Sequence, residues 1–201
     1  MTWIKTIDYQ DADPELKKIY DRVKGPDNNV DNVLQAHSLR PHTLKGHMTL
    51  YKNVLHNSNN TLPKWYLEAL GVYVSYLNQC MYCVEHHFAG FRRLYNDDDA
   101  VERFRKAVKA DQMDTFFGDR YLTGIEHAKQ LTLQHSSITK DDVQELRNVG
   151  FSDGEILEIN QVVSYFNYVN RSVIGLGVDK KGDILGLSPL DSDDPDNWNH
   201  E

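Results

Sequence analysis

The chain has 201 residues, with 22 Lys and Arg against 30 Asp and Glu, for a net charge of −8. That length suits one domain with a substantial core, and 40% hydrophobic and 26% charged residues are ordinary for a globular protein. The acidic balance argues against nucleic acid or an anionic membrane as partner, and no run reaches the length of a membrane span.

Residues 1–12 read as an N-terminal arm with no apolar run of the secretory type. Asp13 and Pro14 supply the N-cap and first position of a helix whose apolar face is Leu16, Ile19, Tyr20 and Val23, and Gly25-Pro26 stops it. A short second helix is predicted over 31–38. Pro41 opens a third, through about Leu55, with Leu44, Met48, Tyr51 and Leu55 as its stripe and Met48 as core filling. His37, His42 and His47 have no carboxylate or cysteine at ligand spacing and are read as surface or cap histidines.

The run NSNNT at 57–61 is a loop, and Pro63 begins a helix that is apolar nearly all round, through Leu67, Leu70, Val72, Val74 and Leu77. Such a helix belongs at the centre. Its lone carboxylate, Glu68, reads on its own as facing solvent at the helix start, where the dipole favours negative charge. Further on, NDDD at 96–99 ends one helix and caps the next, which is amphipathic over 101–109. A helix follows from Asp119 or Thr123 to about His135. Thr139 with Asp142, and Ser152 with Glu155, are capping boxes, and Gly150 closes the helix between them. The last helix, Glu155 to about Ile174, gathers Ile156, Ile159, Val162, Val163, Phe166 and Val169 on one face. Residues 183–201 are an acidic tail, expected to be mobile or laid on a neighbouring subunit. No run alternates as a strand does, so the expected fold class is all-α, in a single domain spanning 1–201.

The chemistry lies between Leu67 and Leu94. Both cysteines of the chain, Cys80 and Cys83, stand there, followed by His86 and His87. At 100° per residue Cys80, Cys83 and His87 share one helical stripe. Cys83 and His87 are an i,i+4 pair, close enough for the imidazole to take the thiol proton. Asn78 is the expected N-cap, which would put both sulfurs in the first turns, where the dipole favours thiolate. This describes a dithiol redox centre. Two other readings stand beside it. One is a zinc site with His86 or His87, which lacks a second Cys pair to complete it. The other is a pair of buried cysteines behaving as small hydrophobes, with exposed histidines. Cysteines at this spacing in a chain without a secretory signal favour a reducing compartment, the cytoplasm. Glu68, twelve residues before Cys80, would meet the stripe only if the chain bends near Asn78-Gln79 and folds back as a helix–turn–helix.

The pattern Glu-x11-Cys-x2-Cys-x3-His, formed by Glu68, Cys80, Cys83 and His87, resembles the signature of the alkylhydroperoxidase D (AhpD)-like branch of the carboxymuconolactone decarboxylase superfamily. The surrounding Leu62-Pro63, Asn78, Tyr82 and His86 are similar too. A weaker resemblance runs from about Trp3 to Val178, and it is nearest to the peroxidase-related subgroup. Some members carry His just before the second cysteine, where this chain has Tyr82. A tyrosine donates a hydrogen bond but is a poor base near neutral pH.

The resemblance implies an AhpD-like helical domain and a thiol-dependent peroxidase, with a hydroperoxide as substrate, a dithiol reductant as partner, and no cofactor or metal. On that reading Cys83, which has the i+4 histidine, attacks and Cys80 resolves, although Cys80 is nearer the helix start. His87 is the base, Glu68 orients it, and Tyr82 positions the peroxide or a relay water. A lactone decarboxylase-like enzyme and a non-enzymatic redox sensor or metal-binding protein are the alternatives. AhpD-like proteins are typically homo-oligomers, and Trp3, Tyr9, Tyr165, Phe166 and Tyr168 are the expected interface aromatics.

Overall fold

A computed structural model describes residues 2–200. Its helices start and stop where the local chemistry directs. Helix α1, Pro14–Val23, is capped by the Asp13 side chain, which accepts the Leu16 N–H; α2 is Asn32–Gln35 and α3 Pro41–Leu55. Then follow α4, Lys64–Leu77, and α5, Met81–Tyr95. Helix α6, Asp98–Ala110, is capped by Asp97, and α7 is Asp119–Leu133. Helices α8, Lys140–Asn148, and α9, Asp153–Leu176, each open with the expected capping box. Among the described residues no strand forms beyond isolated bridges, so the fold is all-α. No described helix is long and apolar enough to cross a membrane.

Helix α4 is central, as its all-round apolarity requires: Tyr66 through Ser75 are all buried, with α5, α7 and α9 packed around it. Glycines set the closest approaches. A Cβ on Gly71 would stand 2.2 Å from Phe166 Cζ of α9, so the ring occupies the space a side chain would fill. On α5, a Cβ on Gly90 would lie 3.2 Å from the Glu68 carboxyl carbon, so α4 and α5 nearly touch beside that carboxylate.

The bend between α4 and α5 falls where the motif required it, with Gln79 in the left-handed region at φ 59°. Asn78, however, is not the N-cap of α5. It is the C-cap of α4, and its carboxamide donates to Asn167 and Asn170 of α9. Cys80 itself takes the N-cap position. Two interface candidates are also corrected. Tyr165 and Phe166 are buried, one stacked on Tyr51 and the other seated over Gly71. Trp3 is 80% exposed, Tyr168 is exposed and Tyr9 is partly buried.

The acidic tail is not free: it packs on its own chain. Residues 183–200 form a strap across the body of their own chain. Arg93 of α5 donates to the Gly186 carbonyl and to Ser188 Oγ. The buried Lys52 ammonium donates to the Leu190 and His56 carbonyls. Asp191 meets His56 and Lys64, and Trp198 is only 2% exposed beneath the Arg22 guanidinium. The acidic composition concealed one aromatic anchor and a row of carbonyls that Lys52, Arg93 and Arg22 satisfy.

Candidate active site

The left-handed Gln79 turns the chain so that α5 starts beside the end of α4, and the first residues of α5 carry the thiols. Cys80 Sγ and Cys83 Sγ lie 3.3 Å apart and unbonded, with the residues 1% and 3% exposed. A disulfide needs about 2.05 Å, so small side-chain rotations would join them. The hydrogen bond shared with Cys83 lowers the Cys80 thiol below its ordinary value. The facing Cys80 sulfur and burial push Cys83 well above its own. The pair thus holds one proton more loosely than two isolated thiols would. The Asn170 carboxamide favours thiolate at both sulfurs and is itself fixed by Ser75 and Asn78.

One turn further along α5, His87 Nδ1 lies 2.8 Å from Glu68 Oε2. Glu68 does not face solvent: it is 3% exposed. Burial drives its carboxyl upward, but the charge and hydrogen bond of His87 outweigh that, and the net position is below the ordinary carboxylate value. An ionised Glu68 accepts from Nδ1–H, which leaves Nε2 of the neutral ring as an acceptor. The ring is held edge-on to Phe166 and Tyr51.

These groups meet at one cavity of ≈ 50 Å³, walled by Cys83, His87 and Glu68 with Tyr51, His47 and Tyr165. Cys83, not Cys80, reaches the wall. His47, expected at the surface, is buried there, and burial holds its imidazole at about 3. Its position follows from α3 packing on α9, a contact that no local pattern in the sequence announces.

Tyr82 also lines the cavity, but its hydroxyl is engaged elsewhere. It donates to Asp183 Oδ2 at 2.6 Å and accepts the Val33 N–H, while its ring stacks on His86. Asp183 further accepts the Asn32 N–H and lies 3.4 Å from His86 Nε2. Nearby, burial raises Asp31 to about 6, against the pull of His86. The sequence reading missed Asp31, Asp183 and Asn170. Only the helix-entry aspartate before Asn32 left a local trace. Among the described residues no three His, Cys, Asp or Glu side chains are grouped to hold a metal ion.

No protein-family model matches the chain, and no curated protein does. Solved structures do match. One is a peroxidase-related protein with an alkylhydroperoxidase AhpD core from Ralstonia eutropha JMP134. It is 19% identical and superimposes with a TM-score of 0.78 over 90% of this chain and 93% of that one. A peroxidase-related protein from Silicibacter sp. TM1040 is 25% identical, with a TM-score of 0.75 over 90% and 93%. The debrominase Bmp8 in complex with 2,3,4-tribromopyrrole is 16% identical, with a TM-score of 0.70 over 89% and 91%. The chain is therefore a helical protein that carries a buried dithiol beside a carboxylate–imidazole pair. Its fold is that of the AhpD-like proteins, as the resemblance carried by Glu68, Cys80, Cys83 and His87 implied.

Proposed function

We propose that the protein is a thiol-dependent peroxidase that reduces a hydroperoxide at the Cys80/Cys83 pair. The observation that carries this reading is the meeting of Cys83, His87 and Glu68 on one cavity, with a second thiol 3.3 Å behind the first. His87 Nε2 accepts one proton from the thiol pair, and the Glu68 carboxylate stabilises the imidazolium. The remaining proton sits on Cys80 in the reactive form, so Cys83 is the thiolate. It attacks the terminal oxygen of the hydroperoxide; the S–O bond forms, the O–O bond breaks, and the alkoxide takes the proton from His87. Cys80 then attacks the Cys83 sulfenic acid, and hydroxide leaves with the Cys80 proton as water. The balance is two thiols and one hydroperoxide to one disulfide, one alcohol and one water. An external dithiol restores the pair by exchange.

Acidity and access point to different sulfurs, since Cys80 is the more acidic and Cys83 the accessible one. Access decides, because the attacking sulfur must touch the substrate, while a proton needs only to cross the 3.3 Å contact. Removal of bromine from a halogenated ring, the chemistry of a similar fold, would need a larger chamber than ≈ 50 Å³. The assay is hydroperoxide consumption by the reduced protein supplied with a small dithiol. Sustained turnover supports the enzyme; thiol loss without turnover would make it a redox sensor.

A reducing compartment, the cytoplasm, suits this chemistry. We also propose a homo-oligomer, because Trp3 packs against Gly177 with Ile4 and Ile174 exposed, leaving apolar surface at one end of α9. Light scattering at micromolar concentration should give a multiple of the single-chain mass; one-chain mass that persists on concentration would remove the interface.

A further inference from the structure

We propose that the strap closes the cavity over Cys83 and limits the substrate to small hydroperoxides, hydrogen peroxide or a short-chain alkyl hydroperoxide. The proposal rests on the peroxidase reading and adds the substrate class to it. Gly186, Leu187, Ser188 and His200, all from the strap, complete the wall around Cys83 and His87. The space within this wall is ≈ 50 Å³. At roughly 10–15 Å³ of such space for each water, it seats about three to five water-sized groups. A phenyl-bearing hydroperoxide does not fit with the strap in place.

The strap is seated at both ends of this wall. Gly186, at φ 85°, lies so close to α5 that a Cβ would stand 2.9 Å from Ala89 Cβ. Arg93 holds its carbonyl at 2.6 Å. At the other end Trp198 is buried under Arg22, whose guanidinium carbon is 3.7 Å from the ring centroid, and this carries His200 into the wall. Between them Leu190 and Asp191 are tied to Lys52, Lys64 and His56.

The lining also fits a small polar guest. His47 and His200 each keep a buried Nδ1 without a hydrogen-bond partner. Burial holds both rings neutral near pH 7, so each free Nδ1 donates or accepts one hydrogen bond according to its tautomer. A hydroperoxide both donates and accepts. A bulky hydrocarbon in the same place would leave these groups unsatisfied, at the usual cost of burying unpaired polar atoms.

The test compares wild type with Trp198→Ala, which loosens the strap from outside the cavity, and Leu187→Ala, which widens the wall itself. Both are checked for native helicity by circular dichroism. Two readouts are taken. The first is kcat/KM for hydrogen peroxide against cumene hydroperoxide. The second, independent of peroxidase activity, is the rate of Cys83 alkylation by iodoacetamide against N-pyrenylmaleimide, each referred to a small free thiol. Wild type should discriminate against the bulky reagent in both assays, and either variant should relax that discrimination by roughly 10-fold or more. Equal handling of large and small reagents by wild type overturns the proposal. So does discrimination that is unchanged in both variants. If no hydroperoxide is consumed but the alkylation preference holds and is lost in the variants, the closed wall is upheld and the peroxidase reading falls.

Discussion

Cys83→Ser should abolish hydroperoxide consumption, by at least about 10³-fold, because a serine hydroxyl at its ordinary pKa is a far weaker nucleophile than a thiolate. Cys80→Ser should behave differently. It keeps the sulfur on the cavity wall, so it should consume about one equivalent per chain and stop at the sulfenic acid, with no partner thiol to resolve it. A sulfenic-acid trap such as dimedone should label Cys80→Ser after one addition of peroxide and leave Cys83→Ser unlabelled. The prediction turns on which sulfur meets the substrate. The acidities favour Cys80 as thiolate, and a first burst in Cys83→Ser with none in Cys80→Ser would hand the attack to Cys80.

The next largest effect is expected at Glu68. Glu68→Gln keeps the shape and loses the charge that stabilises the His87 imidazolium across 2.8 Å. Proton transfer by a positioned base is typically worth about 10²–10⁴-fold, and turnover should fall within that range. The rise of rate with pH should also move upward, since a lone imidazole in a buried wall accepts a proton less readily. Stability should respond in a defined direction. The Glu68 carboxyl is held below its ordinary value, so its contribution is present above the unfolded-state pKa and is lost as pH falls through the folded one. Urea denaturation near pH 7 should therefore find Glu68→Gln less stable than wild type, with the gap closing under strongly acidic conditions. Unchanged turnover and an unchanged pH profile would take Glu68 out of the relay and leave it a structural partner of His87.

The parts of this site legible in the sequence are those fixed by helical register. Cys83 and His87 share a stripe of α5 because the period of a helix puts them there, Cys80 stands at its N-cap 3.3 Å from Cys83, and Glu68 joins them once Gln79 takes positive φ. Helix boundaries followed the caps, down to Asp13, Ser152 and the Pro41 start of α3. What stayed hidden comes from elements far apart in the chain. Tyr82 and Asp183 are 101 residues apart, yet share a hydrogen bond. His47 looks like any polar residue on α3 until α9 covers it. Tyr165 and Phe166 look like interface aromatics in the sequence, although Phe166 also falls on the apolar face of α9, because the glycine that admits its ring lies on another helix. The strap misled through composition: its acidic residues suggest a solvated tail, while its position depends on Trp198, on backbone carbonyls and on cations contributed by α1, α3 and α5.

The redox pair is tested most directly by one addition of hydrogen peroxide, equimolar with fully reduced protein, followed by thiol titration and mass spectrometry of the non-reduced digest. Both thiols of each chain should be lost together. The peptide carrying Cys80 and Cys83 should be lighter by about two hydrogens, the mark of an intramolecular disulfide, and a dithiol should restore it. Inter-chain dimers as the main product, or stable sulfinic acid on one cysteine with the other still free, would contradict it.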